Sequence, residues 1–99
     1  MTDGQVTQLE RDIDILNAAL PPLSSFVLPA GTPTAVALHI ARTVARRAER
    51  LMVALAREEV ISPPALRYIN RLSDFLFVAA RFANAEGPGD VLWVPGKSR

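Results

Sequence analysis

Apolar residues recur along this chain at helical spacing, in three runs separated by prolines. In the first run Leu9, Ile13, Leu16 and Leu20 follow at steps of four, three and four, which lines up one helix face. This predicts a helix from about Thr7 to Leu20. Thr7 and Glu10 have the spacing of a capping box, and Pro21-Pro22 ends the run. A second helix is predicted from a Thr32 cap and Pro33 to about Arg57, roughly 24 residues or ~36 Å. The third follows Ser62-Pro63-Pro64, a cap with prolines in the first turn, and runs to about Asn84, where Gly87-Pro88-Gly89 stops it. In the tail, Val91, Leu92 and Trp93 are the residues expected to dock on the body. No stretch alternates with the period of a strand, and the connections are short. The expected class is all-α, an antiparallel helical bundle.

The polar residues interrupt this pattern in three places. On a wheel of about 100° per residue, Ala37, Ile40, Val44, Ala48, Leu51 and Leu55 gather on one side of the second helix. Arg42, Arg46, Glu49 and Arg50 gather on the other, with His39 close by and Arg47 in the same stretch. Such clustered guanidinium groups repel one another and call for anions. A solvated face, a set of subunit salt bridges and a phosphate site all fit, the last because the planar arginine fork donates two parallel hydrogen bonds. In the third helix, Asn70, Ser73, Asp74 and Phe77 share a face apart from the apolar seam of Leu66, Ile69, Leu72, Leu76 and Ala79 or Ala80. That stripe suits buried polar pairing within the bundle, a ligand, or the neighbouring arginines. The connection from Leu23 to Thr32 carries Leu23, Phe26, Val27 and Leu28 where a loop is usually polar. It either tucks over the bundle end or faces a ligand.

Composition narrows the chemistry. At 99 residues the chain is one small domain, and 49% hydrophobic residues place it among folding chains. The net charge of +1 argues against a nucleic-acid binder working through Arg42 to Arg57. Without cysteine, and with His39 as the one histidine, no zinc site is expected. Asp3, Glu10, Asp12 and Asp14 rule the first twenty residues out as a signal peptide, and no run reaches the uncharged ~20 residues of a membrane span. A soluble, cytoplasmic protein is expected. The carboxylates are scattered and form no acid–base pair, and no glycine-rich phosphate loop is present.

Three blocks give the chain a family likeness: Ser25-Phe26-Val27-Leu28-Pro29-Ala30-Gly31, Ala37-Leu38-His39-Ile40-Ala41-Arg42-Thr43-Val44-Ala45-Arg46-Arg47-Ala48-Glu49-Arg50, and Tyr68-Ile69-Asn70-Arg71-Leu72-Ser73-Asp74-Phe75-Leu76-Phe77. In order and spacing they resemble the cob(I)alamin (corrinoid) adenosyltransferases of the propanediol-utilisation type. Leu16-Asn17, Leu20-Pro21-Pro22-Leu23 and Asp90-Val91-Leu92-Trp93 extend the likeness over essentially the whole chain, while Ala30 stands where the family often has glycine.

The resemblance implies a five-helix-bundle homotrimer that moves the 5′-deoxyadenosyl group of ATP onto cobalt(I) of a corrinoid and releases triphosphate. It implies that Arg46, Arg47, Glu49, Arg50 and Asn70 bind ATP with Mg²⁺, and that Arg42 makes an intersubunit salt bridge. It also implies that Phe26 presses on the lower corrin face of cobalamin, with Asp74 and Phe77 lining the site. Residues 1–99 correspond to the C-terminal part of the family domain, so an N-terminal half with a phosphate-wrapping segment is expected to be absent and this chain to be weakly active or inactive alone. The alternative is a non-catalytic helical oligomerisation or ligand-binding module of the same descent. Either way, Arg42, Arg46 and Arg50 should project from one helix face with Asn70 on the side nearest them, and an apolar patch larger than a monomer usually tolerates should lie exposed.

Overall fold

The computed structural model describes residues 2–23, 27–84 and 92. Three helices are found among them: α1 (Asp3–Ala18), α2 (Pro33–Leu55) and α3 (Pro63–Ala83). The β-structure among these residues is one isolated antiparallel bridge between Val27 and Leu92. Leu92 therefore docks as expected, whereas Val91 and Trp93 lie outside the described residues.

Helix α1 starts four residues before the expected Thr7. The capping box is formed by Thr2 and Gln5, which repeat the same spacing earlier in the chain. The Gln5 N–H donates to the Thr2 hydroxyl (3.4 Å), and the Thr2 N–H donates to the Gln5 side-chain oxygen (2.9 Å). Thr7 instead sits inside the helix and donates its hydroxyl to the Asp3 carbonyl at 3.0 Å. Thr32 caps α2 as expected, accepting from the Ala35 N–H at 3.1 Å with Pro33 in the first turn. Ser62 holds the cap position of α3, but its side chain makes no cap hydrogen bond. The two prolines, which have no N–H to satisfy, open that helix.

The order of the helices in space differs from their order in the chain. Asp3 pairs with Arg67 and Glu10 with Arg71, so α1 runs parallel to α3. Thr32 bonds Asn84 and Glu49 bonds Asn70, so α2 runs antiparallel to it. Both α1 and α2 pack on α3, and among the described residues they do not pack on each other. The connection between them must therefore cross the C-terminal end of α3.

Two buried polar side chains at that end hold the crossing. Arg81 donates from Nη2 to the Pro21 carbonyl at 2.8 Å. Asn84 accepts from the Thr32 N–H at 2.9 Å and donates from Nδ2 to the Ala30 carbonyl at 3.0 Å, so its amide acts as a short piece of backbone between them. The Thr32 hydroxyl adds a bond to the Ala83 carbonyl at 3.2 Å. Gly31 lies between these contacts with φ of 117°, a conformation few side chains adopt, and a Cβ there would collide with the Asn84 amide. Helix α3 ends where the sequence places its end, with Asn84 as the C-cap and its side chain committed to the loop; Gly87-Pro88-Gly89 lies outside the described residues.

The apolar core is thin: Val6, Leu9, Ala35, Ala45, Val78 and Ala80 are its buried members. Alanines at the α2–α3 contact let the helices approach closely. The large apolar residues of α2 point elsewhere: Ile40 (59% exposed), Val44 (62%), Leu51 (63%) and Leu55 (47%) form an uncovered stripe. Its end-to-end length is about 22 Å at the helical rise. The radius of gyration, 15.2 Å, exceeds the roughly 13 Å of a compact chain of this size.

Two outcomes follow from this architecture. Asn84→Asp places a carboxylate oxygen against the Ala30 carbonyl and should lower stability by about 3 kcal/mol in urea denaturation. The α2 stripe should make the chain self-associate in light scattering, and the double change Val44→Lys with Leu51→Lys should shift it towards monomer.

Candidate functional site

The polar side of α2 faces α3. Glu49 accepts from Asn70 Nδ2 at 2.8 Å, which brings the arginine helix and the polar stripe of α3 together on one side of the molecule. Two helical turns away, the Arg42 guanidinium lies over the Phe77 ring, 4.9 Å from its centroid. His39, buried, meets the same ring edge-on at 6.3 Å. Ser73 is buried on this side of α3.

Asn70 is also held from its other end. Arg71 Nη1 donates to Asn70 Oδ1 at 2.6 Å, while Arg71 Nε donates to Glu10 of α1 at 3.3 Å. Arg71 Nη1 lies 3.6 Å from Asp74, one turn along its own helix. The line Glu10–Arg71–Asn70–Glu49 thus crosses all three helices. The sequence reading left Arg71 out. Its signal was there in its position next to Asn70 and three residues before Asp74, a spacing that brings helix side chains together.

The arginines divide. Arg42 is half-buried, while Arg46 and Arg50 are exposed beside it on the same side. Arg47 is turned about 100° from Arg46 and shares its helix face with Ile40 and Leu51, so this fold does not bring it to Asn70. Phe26 lies outside the described residues. Burial, and then the neighbouring Arg46, push the Arg42 pKa below its usual value, and Asp74 acts in the opposite direction. An arginine stays charged at any pH the protein meets. The shift therefore reports a cation held at a cost, which a bound anion would relieve. Glu49, the carboxylate on the same helix face, has its Oε2 engaged by Asn70. Beside this face a groove of about 240 Å³ is lined by Glu10, Ile13, Asp14, Arg71 and Asp74.

The cobalamin adenosyltransferase family profile matches residues 1–83. The chain belongs to that family. A corrinoid adenosyltransferase of Bacillus subtilis is 52% identical over 92 residues, covering 92% of this chain and 48% of the relative. One from Mycobacterium bovis is 51% identical over 101 residues, covering 100% of this chain and 51% of its own length. The chain thus spans about half the length of the curated adenosyltransferases it matches. Among solved structures, an arginine-to-lysine variant of a PduO-type ATP:corrinoid adenosyltransferase from Lactobacillus reuteri, complexed with ATP, superposes with a TM-score of 0.85 at 46% identity, covering 92% of this chain and 53% of that one. A phenylalanine-to-histidine variant from the same organism, complexed with cobalamin and ATP, gives 0.83 at 46% identity, covering 91% and 49%.

The Arg42–Phe77 contact is open to a double-mutant cycle. Arg42→Ala and Phe77→Ala, singly and together, should show a coupling of about 0.5–1 kcal/mol in chemical denaturation. Additive losses would mean that the guanidinium gains nothing from the ring.

Proposed function

We propose that this chain is the nucleotide- and corrinoid-facing C-terminal part of an ATP:cob(I)alamin adenosyltransferase. In the reaction, cobalt(I) supplies an electron pair to C5′ of ATP. The cobalt–carbon bond forms as the C5′–O bond breaks, and triphosphate leaves with that bond's electrons. The observation that carries the reading is the hydrogen bond from Asn70 to Glu49. It joins the arginine face of α2 to the polar stripe of α3 in a chain of this family. The Lactobacillus reuteri structures with ATP and cobalamin lend support, since they match this chain over both helices.

In this reading Arg46 and Arg50 receive the triphosphate, with Arg47 and Glu49 in the same binding stretch and Asn70 as a further ATP contact. Arginines on a rigid helix are placed before the ligand arrives, so little reorganisation accompanies binding. Phe26, Asp74 and Phe77 face the corrin, and Phe26 keeps axial ligands off cobalt, which eases its reduction. Arg42 pairs with an aspartate across a subunit boundary, the assembly is a trimer, and the protein works in the cytoplasm. No helix among the described residues is long and apolar enough to cross a membrane. ATP carries Mg²⁺. Among the described residues no group of three or more His, Asp or Glu fits a metal ion.

Residues 1–99 correspond to the C-terminal half of the family domain. The other half supplies the segment that wraps the phosphates, from a neighbouring subunit, and helices that cover the Ile40–Leu55 stripe. A second reading, a non-catalytic helical oligomerisation or ligand-binding module, draws on that same exposed stripe.

Adenosylcobalamin formation from reduced cobalamin and ATP separates the two. The 99 residues alone should bind ATP weakly and give no useful turnover, because triphosphate open to water on one side gains little from each arginine. Fusion behind the N-terminal half of the Bacillus subtilis relative should restore turnover. Arg46→Ala in that fusion should reduce kcat/KM at least about tenfold, since a charge-assisted contact contributes about 1.5–3 kcal/mol. A fusion without turnover would favour the module, and an Arg46→Ala change without effect would remove Arg46 from the site.

A further inference from the structure

We infer that Arg71 is a positioning residue for the nucleotide site: it fixes the orientation of the Asn70 amide, so that Asn70 meets a ligand as a hydrogen-bond donor. The inference rests on the reading of the α2–α3 face as an ATP site, and adds to it a residue and a polarity.

A side-chain amide can turn over about its last torsion, exchanging an acceptor oxygen for a donor nitrogen. Here both ends are specified. Arg71 has donors and no acceptor, so the atom it meets at 2.6 Å must be the amide oxygen. Glu49, ionised, has acceptors and no donor, so the atom it meets at 2.8 Å must be the nitrogen. A turned amide would set its nitrogen against a cation and its oxygen against a carboxylate, losing both bonds. Within these two bonds the amide keeps one N–H for a ligand. That N–H meets an acceptor such as a phosphate, hydroxyl or ring-nitrogen lone pair, while the oxygen's second lone pair stays at the end of the amide held by the Arg71 cation.

Arg71 is itself held in place. Its Nε reaches Glu10 on α1 and its Nη1 lies near Asp74, so the fork is anchored from two sides while Nη1 reaches Asn70. A lysine at this position keeps the charge but has a single nitrogen on a flexible stem, and cannot span Glu10 and Asn70 with fixed geometry. The side chain of Arg71 is 41% exposed and that of Glu10 47%. Ion pairs this open contribute little to stability. Arg71→Lys should therefore melt where the unaltered chain melts, and a positioning role can be told from a structural one.

Two measurements test the inference. In the 99-residue chain, the Asn70 side-chain amide signals in a ¹H–¹⁵N spectrum, identified by their loss in Asn70→Ala, should move in Arg71→Lys. In the fusion with the Bacillus subtilis N-terminal half, Arg71→Lys should raise KM for ATP roughly five- to tenfold. In an Asn70→Ala background the same change should raise it no further, since Arg71 acts through Asn70. Amide signals unmoved by Arg71→Lys, or an effect on KM that multiplies with that of Asn70→Ala, would overturn the inference. If Asn70→Ala raises KM and Arg71→Lys does not, the inference fails and the nucleotide site stands. If Asn70→Ala leaves KM unchanged, the nucleotide reading of this face falls and the inference with it.

Discussion

The fold depends on the way Asn84 and Arg81 at the end of α3 hold the chain that crosses it. Because α3 lies between α1 and α2, the segment from Pro21 to Thr32 must pass over a helix terminus, where the last carbonyls and the loop's own backbone groups need partners. Asn84 supplies one donor and one acceptor to the loop, and Arg81 supplies a charged donor to its near stem. Both side chains are buried, so water cannot replace a lost bond, and the positive φ at Gly31 is set by the same contact. Among the described residues Asn84 is the largest fully buried side chain.

With the crossing fixed, α2 has one orientation open to it, and it turns its polar side inward. The inward side carries Ala35, His39, Arg42, Ala45 and Glu49, and the large aliphatic residues lie outward. Small residues allow close helix approach, and the polar groups there are satisfied by α3 through Asn70 and the Phe77 ring. This inverts the usual rule that a surface helix buries its apolar stripe.

The charge on that face is organised as well as concentrated. Arg42 and Arg46 repel, Asp74 offsets Arg42 in part, and Arg71 is drawn off towards Glu10. The carboxylates nearest the site are thereby occupied by amide and guanidinium partners, and the exposed Arg46 and Arg50 face solvent beside them. Preorganised positive charge of this kind favours a polyanion over a single carboxylate, because several contacts form without moving the scaffold.

Much of this was legible in the linear sequence. Apolar spacing and the proline-marked connections determined three helices, and Thr32-Pro33 determined where α2 begins, because cap and proline preferences are local. The wheel determined that Arg42, Arg46 and Glu49 share a side, that Asn70 and Phe77 share another, and that Ile40, Val44, Leu51 and Leu55 form a stripe. The start of α1 was misplaced because Thr2 and Thr7 offer the same capping pattern, and α1 packs against α3 from Asp3 onwards. Which helices touch, which side of α2 turns inward, and how Arg71 and Asn84 divide their bonds were decided by tertiary structure alone. Periodicity groups residues on a face, but it carries no information about what that face meets. That depends on contacts between positions some twenty to sixty residues apart, such as Glu49 with Asn70, Glu10 with Arg71 and Ala30 with Asn84.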